Sequence, residues 1–462
     1  MKKTYFKYVK RTFALTLMCI STLGFAQDER KLGPVTRSYA ITQATIVQGP
    51  GRKIEKGTVL IKDGLITAVG QNLTIPADAI QVKGDSLYVY AGFIDGLSRV
   101  AVTRPKEDLS KEKVKDPGNP APERAGITPQ NDVRNFLNPA DKAVEELRAL
   151  GFTTAHVVPH GGMLSGSGSV IFLGGSSADE MVVVSRSSLY SELTPAERVY
   201  PNTVLGVMAK WRELYRQASL TKSYESTYAS NRIGIDRPAT DRVLEAFYPV
   251  IDKKIPVLFR ADKALDLQRV LTLQKDLAFS LIAVNLKEGW DAIPKIKSSG
   301  AKVFLSLELP EEKKEEKKDE KAPAESPFTD SLERKALEKR RADFVALHAG
   351  QASSFQKAGV AFGFTTLSAK TKDISSNLRR IIRAGLTEDQ ALAALTTSPA
   401  SLLGLSDRLG SIDPGKVANL VISRKPYFDE KSKMQYVFVD GVMYRIESKE
   451  IEKPAEKKTD KP

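Results

Sequence analysis

The readable pattern begins with short apolar runs broken by turn residues. Thr45-Ile46-Val47, Gly57-Thr58-Val59-Leu60-Ile61 and Leu65-Ile66-Thr67-Ala68-Val69 are rich in β-branched residues, and Lys62-Asp63-Gly64 separates the last two. β-Branched side chains fit a pleated surface, and Asp-Gly favours a tight hairpin, so this stretch predicts a small β-unit. From residue 91 to about 405, helical spacing alternates with short apolar strands. Asn138-Pro139 supplies an N-cap and a first-turn proline for a helix through Val144 and Leu147 that Gly151 ends. A strand Phe152–Val158 follows. Helix Val243–Ile251 then leads to strand Ile255–Phe259, and strand Ser280–Val284 to helix Gly289–Ser298 and strand Val303–Leu307. Such alternation predicts parallel βα units, and their number predicts a barrel. β-Character returns at Ala418–Ile422, Tyr436–Val439 and Val442–Ile446, the last two joined by Asp440-Gly441.

The expected fold class is therefore α/β: a (β/α)8 TIM-like barrel over 91–405, with a small β-sandwich built from both chain ends, 37–90 and 406–447. Eleven consecutive charged residues, Glu311 to Lys321, open a stretch (311–327) too polar to bury and expected to be a disordered insertion. An amphipathic helix is expected after it, with Leu332, Leu337, Phe344 and Leu347 on its apolar side. Thr387 and Gln390 have the spacing of a capping box for a helix reaching Thr396. The Lys-, Glu- and Pro-rich tail 448–462 is expected to be disordered.

Composition adds a destination. The first 26 residues read as a signal peptide: Lys2, Lys3, Lys7, Lys10 and Arg11 precede the uncharged run from Thr12 to Phe25, and Gly24 and Ala26 suit a cleavage site. Cleavage would leave no membrane span and a periplasmic or secreted protein. The only cysteine, Cys19, would go with it, which excludes thiol nucleophiles and cysteine metal sites from the mature chain. The formal charge of +14 falls to +9 without the five basic residues of that segment. The remaining excess lies in mixed-sign sequence with no nucleic-acid motif, so no nucleic-acid partner is expected.

Three stretches, in order, resemble the metal-dependent amidohydrolase superfamily in its imidazolonepropionase-like branch. They are Gly57 to Gly70 leading to Ala91-Gly92-Phe93-Ile94-Asp95, then Gly151 to Pro159 with a Gly-rich turn from Gly161 to Gly168, then Ser398-Pro399-Ala400 through Gly410-Ser411-Ile412-Asp413-Pro414-Gly415-Lys416. The resemblance implies the barrel and sandwich, hydrolysis of carbon–nitrogen bonds, and one or two metal ions. Such ions activate water and polarise a carbonyl, and need imidazole and carboxylate ligands near 2 Å.

Those ligands are missing from the matching positions. The first strand of the family carries His-x-His two residues after the aspartate matched by Asp95; here the positions hold Leu97 and Arg99. A later strand ends in Arg260 where the family has histidine, no histidine occurs between Ala283 and Lys287, and Thr366 takes the place of the family's last aspartate. Leucine has no donor atom, and arginine stays protonated. Of the three histidines, His156 and His160 would sit about 13 Å apart on one extended segment, too far for a shared ion; His348 belongs to a helix. An all-carboxylate site of Asp95, Asp262 and Asp241 would suit Mg²⁺ or Ca²⁺, but Asp95 reads better as a structural residue. Ser165, Ser167 and Ser169 lie in no nucleophile elbow. No metal and no cofactor are therefore expected. The leading expectation is a pseudo-hydrolase paired with an active amidohydrolase-like partner. The alternatives are a hydrolase of non-peptide C–N bonds and a binder of a small anionic ligand. For the last, Arg99, Arg260, Asp95, Asp262 and Thr366 form a vestigial pocket, unless the arginines pair internally with Asp95 or Asp262.

Overall fold

The computed structural model describes residues 37–104, 113–312 and 331–446. The expected signal peptide, all but the first two residues of the 311–327 insertion, and the tail from 448 lie outside these residues.

The N-terminal strands are β1 (Tyr39–Gly49), β2 (Arg52–Lys62), β3 (Leu65–Gly70), β4 (Ile80–Lys83) and β5 (Tyr88–Ala91). The barrel strands follow: β6 (Phe93–Ser98), β7 (Phe152–Val157), β8 (Gly166–Phe172), β9 (Val182–Glu192), β10 (Val257–Arg260), β11 (Leu281–Leu286), β12 (Lys302–Ser306) and β13 (Phe362–Thr365). Near the C-terminus come β14 (Leu420–Ser423), β15 (Met434–Val439) and β16 (Val442–Arg445). β14 pairs antiparallel with β5, so the two chain ends form one 8-stranded sheet, as expected. Asp63-Gly64 and Asp440-Gly441 both have positive φ, at 52°, 78°, 50° and 73°, the geometry of primed hairpin turns. The two turns touch, and a Cβ on Gly441 would lie 2.5 Å from the Gly64 Cα.

The second 8-stranded sheet runs β6-β7-β8-β9-β10-β11-β12-β13 and curls until its ends face each other. It departs from a uniform (β/α)8 barrel. β8 is antiparallel to both neighbours, and a hairpin-like β7-β8-β9 run replaces helical crossovers. The Gly166-Ser167-Gly168 stretch, expected to turn, is instead the start of β8. Gly168 is there for closeness: its Cβ would stand 2.8 Å from Ser188 Oγ and 2.9 Å from His156 Nε2.

The barrel interior is filled, not open. Leu97, Val158, Tyr190, Leu258, Ile282, Val284, Phe304 and Leu402 form one buried cluster inside it. The Phe304 ring lies against Gly96 of β6 and Gly363 of β13, where Cβ atoms would come within 1.9 Å and 2.5 Å of it.

Helices follow the expected order with local corrections. Asp141, not Asn138, caps the first, Lys142–Ala149, by accepting from Ala143 N, and Gly151 (φ 94°) follows its end. The stretch 243–251 breaks into Arg242–Glu245 and Tyr248–Ile251 around Phe247. The 27-residue helix Val204–Ser230 had no reading in the sequence pattern; it buries Val207, Trp211 and Leu214, and Trp211 donates to Ser191 Oγ at 3.0 Å. The Thr387–Gln390 capping box is present, on helix Glu388–Leu395. Helix Ser331–Lys357 corrects an expectation. Leu337, Phe344 and Leu347 are half exposed, and the helix is instead held by Ala349, Ala352 and Phe355 near its C-terminal end.

Candidate functional site at the barrel mouth

Strand direction decides which side chains converge. In a parallel barrel the residues at the C-terminal strand ends share one mouth. Here these are Arg99 just after β6, Glu192 ending β9, Arg260 ending β10, Asn285 and Lys287 at the end of β11, and Thr366 just after β13.

The charged ones among them form, with Asp262 and Glu308, a chain of alternating charges. Arg99 donates from a terminal guanidinium nitrogen to Glu192 Oε1 at 2.5 Å. Arg260 donates to Glu192 Oε2 at 3.3 Å and, through two nitrogens, to both Asp262 oxygens at 2.8 and 2.9 Å. Lys287 continues the line, 3.5 Å from Asp262 and 2.5 Å from Glu308. Asn285 donates to Asp262 Oδ1 at 2.9 Å and to Ser368 Oγ at 2.8 Å. Arg260, Asn285 and Lys287 hold the Asp262 carboxyl below the usual range despite partial burial, and Asp262 with Glu192 raises the Arg260 guanidinium. Burial and the neighbouring Glu192 charge push the Tyr190 phenol well above its ordinary range.

Asp95 stands apart from this chain. It is fully buried and accepts from Leu97 N at 3.2 Å, Thr366 N at 3.0 Å and the Thr366 hydroxyl. Its expected structural role fits these contacts. The vestigial-pocket set thus divides in two. Arg99, Arg260 and Asp262 belong to the ion-pair chain, while Asp95 and Thr366 belong to the junction between β6 and β13. Arg260 does pair internally, with Asp262; Arg99 pairs with Glu192, a residue the sequence reading did not single out. Only its position at the end of a strand would have pointed to it, and the serine-rich Val182–Glu192 was not read as a strand.

The histidines do not combine. His156 on β7 is buried with Nε2 3.0 Å from both Ser187 Oγ and Ser188 Oγ, and burial lowers its pKa to about 4. His160, half-buried in the next loop, is lowered by burial and by Arg99 and Arg104. His348 Nδ1 lies 2.8 Å from the Phe344 carbonyl. Asp241 caps the helix Arg242–Glu245, far in role from Asp95 and Asp262.

The residues present do not fit a metal. Among the described residues no three His, Cys, Asp or Glu side chains group to hold an ion. The carboxylates at the mouth are already occupied by guanidinium and ammonium groups. Among the described residues the buried oxygens without a partner, Asn285 Oδ1 at the mouth among them, all belong to neutral side chains.

Comparison with known proteins agrees with the fold. Residues 285–444 match the profile described as the amidohydrolase family. An amidohydrolase from Thermotoga maritima MSB8 superposes with a TM-score of 0.70 at 23% identity, over 88% of this chain and 100% of that one. A second amidohydrolase gives a TM-score of 0.51 at 16% identity, over 89% and 99%. A Xaa-Pro dipeptidase with methionine bound in its active site gives 0.50 at 14% identity, over 88% and 100%. At these identities the structures show the amidohydrolase fold alone. No curated protein sequence matches the chain.

Proposed function

We propose that this amidohydrolase-fold chain is a pseudo-hydrolase, exported to the periplasm or beyond, that partners or stabilises an active relative. One observation carries the reading: the strand ends hold Leu97, Arg99, Arg260 and Thr366, and the arginines are bound into ion pairs. The family's water activation requires an ion held by imidazole and carboxylate. Protonated guanidinium groups at those positions repel one. The same pairing argues against a small anionic ligand, which would have to displace Glu192 and Asp262 from the arginines. Export rests on the basic and apolar N-terminal segment. Among the described residues no helix is long and apolar enough to cross a membrane.

The fold's likeness to the Thermotoga maritima amidohydrolase favours the second reading, hydrolysis of a C–N bond. Metal content separates the two. After dialysis against Zn²⁺, Mn²⁺ and Mg²⁺, we expect below about 0.1 ion per chain by mass spectrometry, since catalytic water activation needs roughly one. Near-stoichiometric metal would overturn the pseudo-hydrolase reading and support hydrolysis. Co-purification of an intact barrel relative from the cell envelope is the expected sign of the partner role.

A further inference from the structure

No main-chain ladder joins β6 to β13 among the described residues, so side chains close the barrel there. The Thr365 hydroxyl donates to the Leu97 carbonyl at 2.6 Å, and Asp95 takes the Thr366 amide and hydroxyl. Asp95 is 0% exposed, and its hydrogen-bond partners are neutral amides and hydroxyls. A buried carboxylate without a counter-ion favours its neutral form.

The surroundings supply no compensating charge. β13 (FGFT), β11 (LIAVNL) and the helix Thr397–Leu402 (TSPASL) carry no ionisable side chain. β7 brings only His156, uncharged near neutrality, with the Gly96 carbonyl beside its ring. On helix Glu388–Leu395 the carboxylates Glu388 and Asp389 lie in the exposed first turn. Arg99, just past the end of β6, is engaged by Glu192.

We propose that Asp95 closes the barrel as a neutral carboxylic acid, and that the β6–β13 seam is a clasp that loosens when this group ionises. The neutral acid keeps these contacts with one bond reversed: its O–H donates to Thr366 Oγ1, while the other oxygen still accepts from the Leu97 and Thr366 amides. Both flanks of the clasp lead to the mouth. Arg99 follows Asp95 just past the end of β6, and Ser368, bonded to Asn285, follows Thr366. Parting the seam therefore displaces the Arg99 end of the ion-pair chain and, through Asn285, its Asp262 member. This holds whether or not the mouth hydrolyses anything.

Burial raises the Asp95 pKa from 3.8 to about 7. The folded state then keeps a proton that the unfolded chain releases, so the clasp is firmest below pH ~4, weakens up to pH ~7, and is level above. His156, whose folded pKa is lowered, acts in the opposite sense, so the Asp95 contribution needs a difference measurement. Asp95→Asn copies the neutral acid. Unfolding equilibria of both proteins across that range should show the folding constant of Asp95→Asn, relative to the parent, rising by up to about tenfold per pH unit and then levelling. A ratio independent of pH, or one falling with pH, would overturn the proposal. If Asp95→Asn does not fold, hydrogen exchange on the parent decides. After correction for intrinsic rates, protection of the Leu97 and Thr366 amides should fall between pH ~4 and ~7 and level above, while Val257 and Leu258 stay constant. Equal behaviour at both places would equally overturn it.

Discussion

Gly96→Ala is expected to destabilise the barrel by about 3 kcal/mol, near the upper end for overpacking a filled core. The added methyl would lie 1.9 Å from Phe304 Cδ1, and within 2.5 Å of two further ring atoms. Phe304 is itself fully buried among Leu97, Tyr190, Leu258 and Ile282, so its ring has no vacant space to enter. Backbone strain is not the cause, because Gly96 does not have positive φ. The prediction therefore includes a rescue. Phe304→Leu alone should cost stability by leaving a void, but combined with Gly96→Ala it should recover much of the loss. Urea unfolding of the three variants tests this. A Gly96→Ala midpoint matching the parent, or a double variant no better than Gly96→Ala, would show that the ring and the glycine are not in this contact.

Glu192→Leu should have the second largest effect, about 2–3 kcal/mol. Its carboxylate is 8% exposed and serves two guanidinium groups from different strands. Removing one member of a buried ion pair leaves the other charge desolvated, which costs far more than the pair contributes. The estimate lies below the full range for that class because Arg99 and Arg260 are about a quarter exposed and Arg260 keeps Asp262. Adding Arg99→Met should restore much of the stability, since the stranded cation is then gone. The discriminating measurement is a double-mutant cycle. If Glu192→Leu shifts stability by less than about 0.5 kcal/mol, Glu192 behaves as a surface residue and is not the centre of the mouth network.

These effects meet at the same strand ends and explain how the barrel is held together there. A metal ion would draw ligands from several strands toward one point. In this chain Glu192 bridges β6 and β10, Asp262 bridges β10 and β11, and Asp95 with Thr366 bridges β6 and β13. Cross-strand ties therefore persist at the mouth, but each is an organic ion pair or hydrogen bond.

Local chemistry was legible in the sequence wherever a short-range rule governs it. Asp63-Gly64 and Asp440-Gly441 turn because both residues of such turns need positive φ, and the Thr387–Gln390 box forms because its partners are three residues apart. The alternation of apolar strands and helices sufficed for a barrel, and residue chemistry alone says that Leu97 offers no ligand atom and that Arg99 and Arg260 stay protonated. Tertiary structure decided the rest. The serine- and glycine-rich 166–192 stretch forms two strands, and Gly168 there lets His156 and Ser188 approach, a contact no local pattern encodes. Half-exposed Leu337, Phe344 and Leu347 show that an apolar stripe buries nothing unless another element meets it. Glu192 lies 93 residues from Arg99 and 68 from Arg260, so their pairing exists only once the barrel brings the strand ends together. Asp95 and Thr366 are 271 residues apart, and the burial that neutralises one of them is a property of the closed seam.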